Sequence, residues 1–355
     1  MALVLSCGQV YGQGIDFREI SLETALAEAG KDGKYVFVDC YTSWCGPCKR
    51  MDREVFPLEK VGTYFNSAFI CVKYDMDREE CKEIKDKYDV HSFPTYLLLR
   101  PDGTVQHKVV GGGRNADEFI EVFKQGVTQN NSLSYLEGLY LKGGMDKDGL
   151  LRYGLALREA RDRDGADRVL EELKVCLTDE EKTQAEYWVL FRDKKFGEEE
   201  YLFVVANLDA FQKNVGKEIV DSFIMKNYEK LIKYRMSALG FKWDFSKSLA
   251  DLSAIRDELD RVDIAGKEKI AEHIGLLTAY MNGDTKGAME SVGKMVSAGG
   301  EDLQAVYTFF KAIRRREDTA MIKEVVQAKD HLLRQAAGES REELAEAIAN
   351  LEKSI

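Results

Sequence analysis

The chain has few prolines and no long apolar run. All four prolines lie within the first 101 of its 355 residues, so most of the chain lacks the residue that most often interrupts a helix. It has no run of 18 apolar residues that could cross a bilayer. It also lacks an excess of basic residues, and its net charge of −11 argues against nucleic acid or an anionic membrane as the partner.

Seven cysteines are present, and two of them form a Cys-x-x-Cys motif. Cys45 and Cys48 lie in the segment Trp-Cys-Gly-Pro-Cys at 44–48, directly after an apolar strand predicted at 35–40. A zinc site needs a second pair at similar spacing, and the other cysteines supply none. The motif and its position therefore favour thiol-disulfide exchange over a zinc site or a structural disulfide.

The predicted helix that begins at Gly46 gives the two cysteines different roles. Cys45 lies at the helix start, where free N–H groups and the positive end of the dipole favour a thiolate, so it is the predicted nucleophile. Cys48 lies one turn deeper, is expected to be more shielded, and is the predicted resolving residue. Pro47 suits a first helical turn and Gly46 leaves the approach open. Trp44 is expected to line the docking surface.

Two charged residues lie within or directly after apolar segments. Asp39 lies within the apolar strand, where burial should raise the pKa of its carboxyl group and make it a proton acceptor for Cys48. Lys73 follows the apolar run 69–72 and fits either a neighbouring strand near Asp39 or a strand end in solvent. Most X-Pro bonds are trans, so sequence alone does not make Pro94 a cis residue.

The chain resembles thioredoxin over roughly 16–128. The segment 36–49 reads like the central strand and active-site turn of that family, and 72–77 looks like its next strand. Residues 92–95 look like its cis-proline loop, and 101–104 like its hairpin turn. The resemblance implies an α/β thioredoxin fold, with a central mixed sheet flanked by helices. The stretch after the motif looks more like secreted thioredoxin-like domains, or the terminal domain of the membrane reductant conductor DsbD, than a minimal thioredoxin.

The resemblance also implies roles for individual residues. Asp39 would be a buried acid serving Cys48, Lys73 its charged neighbour, and Pro94 a cis residue that faces the disulfide. Phe93 departs from the smaller β-branched residue that is common before this proline, which affects substrate preference rather than chemistry. The redox-active cysteine pair is itself the cofactor, and neither a metal nor another cofactor is expected.

The remaining cysteines are predicted to be free. Adjacent residues of a strand point to opposite faces, so Cys40 and Asp39 should face opposite ways, whereas Cys71 and Lys73 should share a face. If Asp39 and Lys73 face each other, Cys40 and Cys71 cannot pair. Buried free thiols are therefore expected at Cys40, Cys71, Cys81 and Cys176.

The character of the chain changes after 129–132. Apolar residues then recur at spacings of three and four, which predicts an all-α domain over 131–355 that follows the thioredoxin-like domain at 16–130. The segment 279–288 faintly resembles a tetratricopeptide helix-turn-helix. Because no fixed period of about 34 residues recurs, we expect an irregular helical-repeat-like domain.

Residues 1–15 form a separate segment that looks like the tail of a secretory signal. This predicts a periplasmic or otherwise exported protein, with a cytoplasmic protein as the alternative. The pair Ser6-Cys7 weakly indicates a third possibility, a lipid anchor on Cys7.

The predicted function is thiol-disulfide oxidation and reduction on protein substrates. The dipeptide Gly46-Pro47 is the one found in reducing members of the resembled family, which favours a reductase, supplied with electrons by a membrane conductor of DsbD type. An oxidase or an isomerase is the alternative within the enzyme class. An alternative of another class is a redox-switched binding or scaffold protein, in which the helical domain recruits an unknown partner.

Overall fold

A computed structural model describes residues 14–128, 130–241 and 245–355. The predicted signal remnant therefore lies outside the described residues, except for its last two positions, and so does the predicted lipidation site at Cys7. The chain divides into two compact units, of which the first ends at Thr178 and the second begins at Asp179.

The first unit contains a four-stranded sheet covered by helices. Its strands are β1 (Tyr35–Tyr41), β2 (Phe69–Asp75), β3 (Thr95–Leu99) and β4 (Val105–Val110). Its helices are α1 (Leu22–Asp32), α2 (Gly46–Glu54), α3 (Glu59–Ala68), α4 (Lys82–Lys87), α5 (Ala116–Val127), α6 (Leu133–Lys142), α7 (Lys147–Glu159) and α8 (Arg163–Cys176), with a 3-10 turn at Glu79–Cys81.

The sheet is mixed, with the strand order β2-β1-β3-β4. β1 runs parallel to β2, whereas β3 is antiparallel to both β1 and β4. The register places Asp39 of β1 between Lys73 of β2 and Tyr96 of β3. Strand order, strand directions and flanking helices confirm the predicted thioredoxin fold.

Two apolar cores cover the two faces of the sheet. On one face, Phe37 packs with residues of α2, α3 and α5, and its ring centroid lies 4.8 Å from that of Phe65 and 5.0 Å from that of Phe123. The other face packs against α1 and the segment that precedes β3. Cys71 belongs to the first core and Cys40 to the second, which confirms that these two cysteines face opposite ways.

The prediction of buried free thiols holds for three of the four cysteines for which it was made. Cys40, Cys71 and Cys81 are free and buried. Cys176 is free but exposed, so the prediction was wrong there. It lies at the end of α8, whose buried residues, such as Val169 and Leu173, follow a stripe that does not include it.

Helices α6, α7 and α8 belong to the same compact unit as the sheet. The ring of His107 on β4 accepts a hydrogen bond from the backbone N–H of Leu133 at the start of α6, with 3.3 Å between Nδ1 and N. Arg100, at the end of β3, donates to the Ser134 hydroxyl at 2.6 Å. Because these contacts join α6 to the sheet, the units divide at 178/179, later in the chain than the predicted domain boundary at 130/131.

The second unit is helical throughout its regular structure, which confirms the prediction for this part of the chain. Its helices are α9 (Asp179–Lys182), α10 (Glu199–Ala206), α11 (Leu208–Phe211), α12 (Lys217–Ala238), α13 (Ser246–Arg261), α14 (Lys267–Met281), α15 (Thr285–Ala298), α16 (Gly300–Arg316), α17 (Thr319–Gln327), α18 (Lys329–Gln335) and α19 (Glu339–Glu352), with a 3-10 turn at Ala185–Leu190 and a π-helical turn at Gln212–Gly216. Among the helices described, none combines the length and the apolar character that crossing a membrane requires.

Three helix pairs share one kind of turn. Between α7 and α8, α14 and α15, and α16 and α17, a residue with positive φ precedes an aspartate whose side chain caps the next helix. These aspartates are Asp162, Asp284 and Asp318, and each accepts from the backbone N–H three residues later. The shared turn explains the local resemblance at 279–288, while an irregular repeat over the whole region stays a prediction.

Acidification should weaken the contact between α6 and the sheet through His107. Burial lowers the pKa of His107 to about 4, and the charge of Arg114 adds to this effect. The unfolded chain takes up a proton near pH 6.5 whereas the folded one resists it, so this stability is present above pH 6.5 and lost as the pH falls towards 4. We expect the free energy of unfolding of the wild type to fall by roughly 2 to 3 kcal/mol more than that of His107→Gln between pH 7 and pH 4.

Urea denaturation at a series of pH values measures this difference. The matched control is His91→Gln, which removes an exposed histidine paired with Asp89 at 2.7 Å. Parallel pH profiles for the wild type and His107→Gln would show that the buried imidazole does not resist protonation in the folded state.

Candidate active site

The two cysteines of the motif are joined at the start of α2. Cys45 is the N-cap residue, and its Sγ accepts from the backbone N–H of Cys48 at 3.1 Å. The two sulfurs form a disulfide with 2.06 Å between them, and the Cα atoms lie 5.3 Å apart. Pro47 occupies the first turn, where its missing N–H leaves no bond unmade. Sγ of Cys45 thus lies at the N-terminal end of α2, where a helix stabilises negative charge.

The two cysteines do not differ in accessibility in this disulfide form. Cys45 and Cys48 are each 3% exposed, so the prediction that Cys48 is the more shielded of the two was wrong for the oxidised pair. What distinguishes them is the helix position, since Cys45 is at the N-cap and Cys48 is inside the helix. An added methyl group at Gly46 would meet no atom within 4 Å, so there is open space beside this residue, while the open approach to Cys45 stays a prediction.

Asp39 is buried on the same face of β1 as Phe37, the face that α2 covers. It is 2% exposed, and its Oδ1 makes no hydrogen bond to any described residue. Burial raises the pKa of Asp39 to about 8; repulsion from Asp52 adds to the rise and the charge of Lys73 opposes it. The carboxyl group can therefore exchange a proton near neutral pH, which general acid–base chemistry requires.

Lys73 lies beside Asp39 in the sheet but is paired with another carboxylate. Its register partner on β1 is Asp39, as the resemblance implies. Its Nζ, however, donates to Oδ1 of Asp52 on α2 at 2.9 Å, and lies 5.2 Å from the ring centroid of Tyr41. Each member of this ion pair retains about a third of its side-chain exposure, so Lys73 is neither fully buried nor a free strand end.

Asp52 is the residue that the sequence analysis missed. It follows Cys48 by four positions on α2, so both lie on one face of the helix. This spacing could have indicated that Asp52 belongs to the site, but a carboxylate on an exposed helix turn is usually solvated. Here it binds Lys73 and raises the pKa of Asp39, so these three ionisable groups interact with one another.

An aromatic pair borders the disulfide on its exposed side. Trp44 is 67% exposed, and its indole N–H donates to Oδ2 of Asp77 at 2.7 Å. Its ring meets that of Phe93 edge-on, with 5.9 Å between the centroids. Asp77 had no predicted role, yet it fixes the exposed indole. The structure thus brings together Trp44, which was predicted to line the docking surface, and Phe93, which was predicted to affect substrate preference.

A glycine-rich loop, residues 111–113, completes the surroundings of the pair. The Phe93-Pro94 peptide is cis, and the carbonyl of Pro94 accepts from the N–H of Gly111 at 2.8 Å. A methyl group added at Gly112 would lie 3.1 Å from Cβ of Pro47, so glycine permits the close approach of this loop to α2. The loop therefore links the proline before β3 to the first turn of the redox helix.

Comparison with known proteins identifies the class of this domain. Residues 22–126 match the family model described as a thioredoxin-like domain. Thioredoxin-1 of Drosophila melanogaster is 34% identical over 87 residues, which cover 24% of this chain and 72% of that protein. The chain belongs to the thioredoxin family.

Other matches each cover about a third of the chain. A protein from Bacteroides thetaiotaomicron, described as a candidate disulphide isomerase, has a solved structure that is 43% identical and covers 33% of this chain and 96% of its own, with a TM-score of 0.31. Protein disulfide isomerase-like 1-2 of Oryza sativa subsp. japonica is 32% identical over 121 residues, which cover 32% of this chain. The chain spans only 23% of the length of that plant relative.

Removal of the buried carboxylate should stabilise the fold. For an acid whose folded pKa is raised, stability is lost as the pH rises from the unfolded value near 4 to about 8, because the folded state resists ionisation. We expect Asp39→Asn to raise the free energy of unfolding of the oxidised protein by roughly 4 to 5 kcal/mol more at pH 8.5 than at pH 4. Denaturant titration at the two pH values measures this difference, and the substitution Asp86→Asn of an exposed residue is the control. A gain that does not vary with pH would contradict the assigned cause.

Loss of the Asp52 carboxylate should change the pKa of Asp39, although Asp39 itself is left in place. Asp52→Asn removes a repelling charge and releases Lys73 from its ion pair, and both effects favour the ionised form of Asp39. We therefore expect the titration midpoint of Asp39 to move to lower pH. NMR of a protein labelled with ¹³C at the aspartate carboxyl carbons reads this directly, with Asp86→Asn again as the control. A midpoint that stays in place or rises would show that Asp52 does not tune this group.

Proposed function

We propose that this protein is a thiol-disulfide oxidoreductase that reduces disulfide bonds of proteins through a Cys45–Cys48 dithiol cycle. The observation that carries the proposal is the bond between these two residues at the first turn of α2, next to an exposed tryptophan. Protein substrates fit this site because the surface around the pair is open and aromatic, and proteins dock on exposed aromatic side chains.

In the first step, the Cys45 thiolate attacks one sulfur of the substrate disulfide. A bond forms between Cys45 and that sulfur while the substrate S–S bond breaks, and the departing sulfur leaves as a thiolate that takes up a proton from solvent. The N-terminal end of α2 stabilises the negative charge on Cys45 before the attack, since its free N–H groups point towards the N-cap.

In the second step, Cys48 resolves the mixed disulfide. Its thiol gives a proton to the carboxylate form of Asp39, and the resulting thiolate attacks Sγ of Cys45. The Cys45–Cys48 bond forms, the bond to the substrate breaks, and the second substrate sulfur leaves as a thiolate that takes up the proton held by Asp39. The substrate gains two electrons from the Cys45–Cys48 dithiol and two protons, one from solvent and one that passed from Cys48 through Asp39; the proton of Cys45 went to solvent when its thiolate formed. Lys73 and Asp52 set the proton affinity of Asp39 in this step.

The cycle then requires a dithiol donor that reduces the Cys45–Cys48 bond again. The dipeptide Gly46-Pro47 favours the reducing direction in this family, and we propose an exported protein that receives electrons from a membrane conductor of DsbD type. Oxidation or isomerisation of protein disulfides is the competing direction, and the potential of the couple decides between them.

Trapping of the intermediate tests the exchange chemistry. In Cys48→Ser the mixed disulfide at Cys45 cannot be resolved, so this variant should accumulate a covalent adduct with a disulfide-bonded protein that dithiothreitol releases. Cys45→Ser should form none, and Cys40→Ser should turn over like the wild type because Cys40 lies in the other core. Absence of an adduct with Cys48→Ser would contradict the proposal.

The reduction potential tests the direction. Equilibration of the full-length protein with glutathione buffers should give a value near roughly −270 mV for a reductase, whereas a value near about −120 mV would identify an oxidant.

A second candidate function concerns the helical unit. From Asp179 to the last residue the sequence has no cysteine, so half of the chain has no thiol with which to take part in exchange. This favours a binding role for that unit, with the cysteine pair as a switch. The full-length Cys45→Ser, Cys48→Ser double variant separates the candidates: a binding protein retains its biological effect in this variant, and a reductase loses it.

A further inference from the structure

Two arginines lie on either side of the glycine loop beside the redox helix. A methyl group added at Gly111 would lie 3.4 Å from Nη2 of Arg161, and one added at Gly113 would lie 3.5 Å from Nη2 of Arg50. The glycine between them touches Pro47, as described above. Both guanidinium groups therefore border the surface on which a substrate of the cysteine pair has to lie.

Arg161 comes from outside the thioredoxin-like domain. It is the residue with positive φ, at 58°, in the turn between α7 and α8, and the family match ends at residue 126. Two contacts hold this turn near the loop: Arg114 forms an ion pair with Glu159, the last residue of α7, and its Nη1 also donates to the carbonyl of Gly111 at 3.3 Å. Contacts within the first unit thus hold the turn that carries Arg161 near the glycine loop.

Neither arginine has a carboxylate partner among the described residues, and both are exposed. Neighbouring cations differ in this respect. Arg114 is paired with Glu159, and Lys108 donates to the carbonyls of Tyr88 and Asp89 at 3.1 and 2.8 Å. Asp89, Asp162 and Asp164 line the same cavity as Arg161, but none of them forms an ion pair with it among the described residues, so both guanidinium groups remain available to an acidic ligand.

We propose that Arg161 and Arg50 bind acidic side chains that flank the target cysteine of a protein substrate, so that the α7–α8 turn gives the enzyme a preference for acidic substrate segments. This inference rests on the proposed function. A guanidinium group binds a carboxylate in a fixed planar geometry, so two acidic side chains on either side of a substrate cysteine suit these two arginines.

A charge reversal at Arg161 tests the preference. The probes are three peptides with one internal disulfide, identical except that the residues two positions before and after one cysteine are glutamate, glutamine or lysine. For each peptide, kcat/KM is measured at low and at physiological salt. The wild type should reduce the glutamate peptide about ten times faster than the lysine peptide, and added salt should diminish the ratio. Arg161→Glu should lower the ratio at least about fivefold, and Arg161→Lys should retain most of it.

The matched controls use residues already in the chain. Lys31→Glu makes the same change in net charge on an exposed residue near the end of α1, before β1 begins and therefore at the other end of that strand from Cys45. Its ratio should equal that of the wild type. Glutamate is compatible with the backbone of the turn, because Glu317 has a φ of 61° in the equivalent turn between α16 and α17.

The outcomes separate this inference from the function on which it rests. If the wild type reduces none of the three peptides, the proposed function and this inference both fail. If it reduces all three at similar rates, or if Arg161→Glu and Lys31→Glu shift the ratio equally, the acidic preference is overturned while the reductase stands. A ratio that changes only in Arg161→Glu supports the assignment.

Discussion

The packing of α2 against the face of β1 that carries Phe37 is the constraint on which the site depends. Met51 and Val55, in and just after α2, are buried in the same core as Phe37. This contact fixes the direction of the helix and thereby places Cys45 at its N-cap. It also covers the neighbouring position on that face of β1, which is Asp39, and excludes water from it. The position of Cys45 and the proton affinity of Asp39 therefore both follow from this one interface.

The same interface explains what the sequence could predict. The redox pair, its strand and its helix start depend on residues within about ten positions of one another, so local patterns were sufficient for them. The ion-pair partner of Lys73, by contrast, depends on how α2 lies over β2. The resemblance placed Asp39 beside Lys73, and the structure shows that the ion pair forms with Asp52 of α2. The contact of His107 with Leu133 is likewise tertiary, and no local pattern marks it.

Two buried titratable groups act on stability in opposite directions. Between pH 4 and 6.5, falling pH removes the stability that neutral His107 provides, while it relieves the cost of ionising Asp39. The histidine lies on β4, where it joins α6 to the sheet, and the aspartate lies on the face of β1 that α2 covers. A buried carboxyl group that is costly to ionise and titrates near neutral pH is suited to proton transfer.

The helices α6 to α8 extend the compact unit beyond the family match. The family match ends at residue 126, yet the compact unit continues to Thr178, because α6 is bonded to β4 and the end of α7 is ion-paired to Arg114. The turn after α7 then reaches Gly111, whose N–H is bonded to the carbonyl of Pro94. Since that loop also touches Pro47, any substrate that approaches the disulfide from this side meets residues that the thioredoxin domain alone does not contain. Selectivity in this protein is thus expected to depend on the α7–α8 turn, while the exchange chemistry depends on α2 and β1.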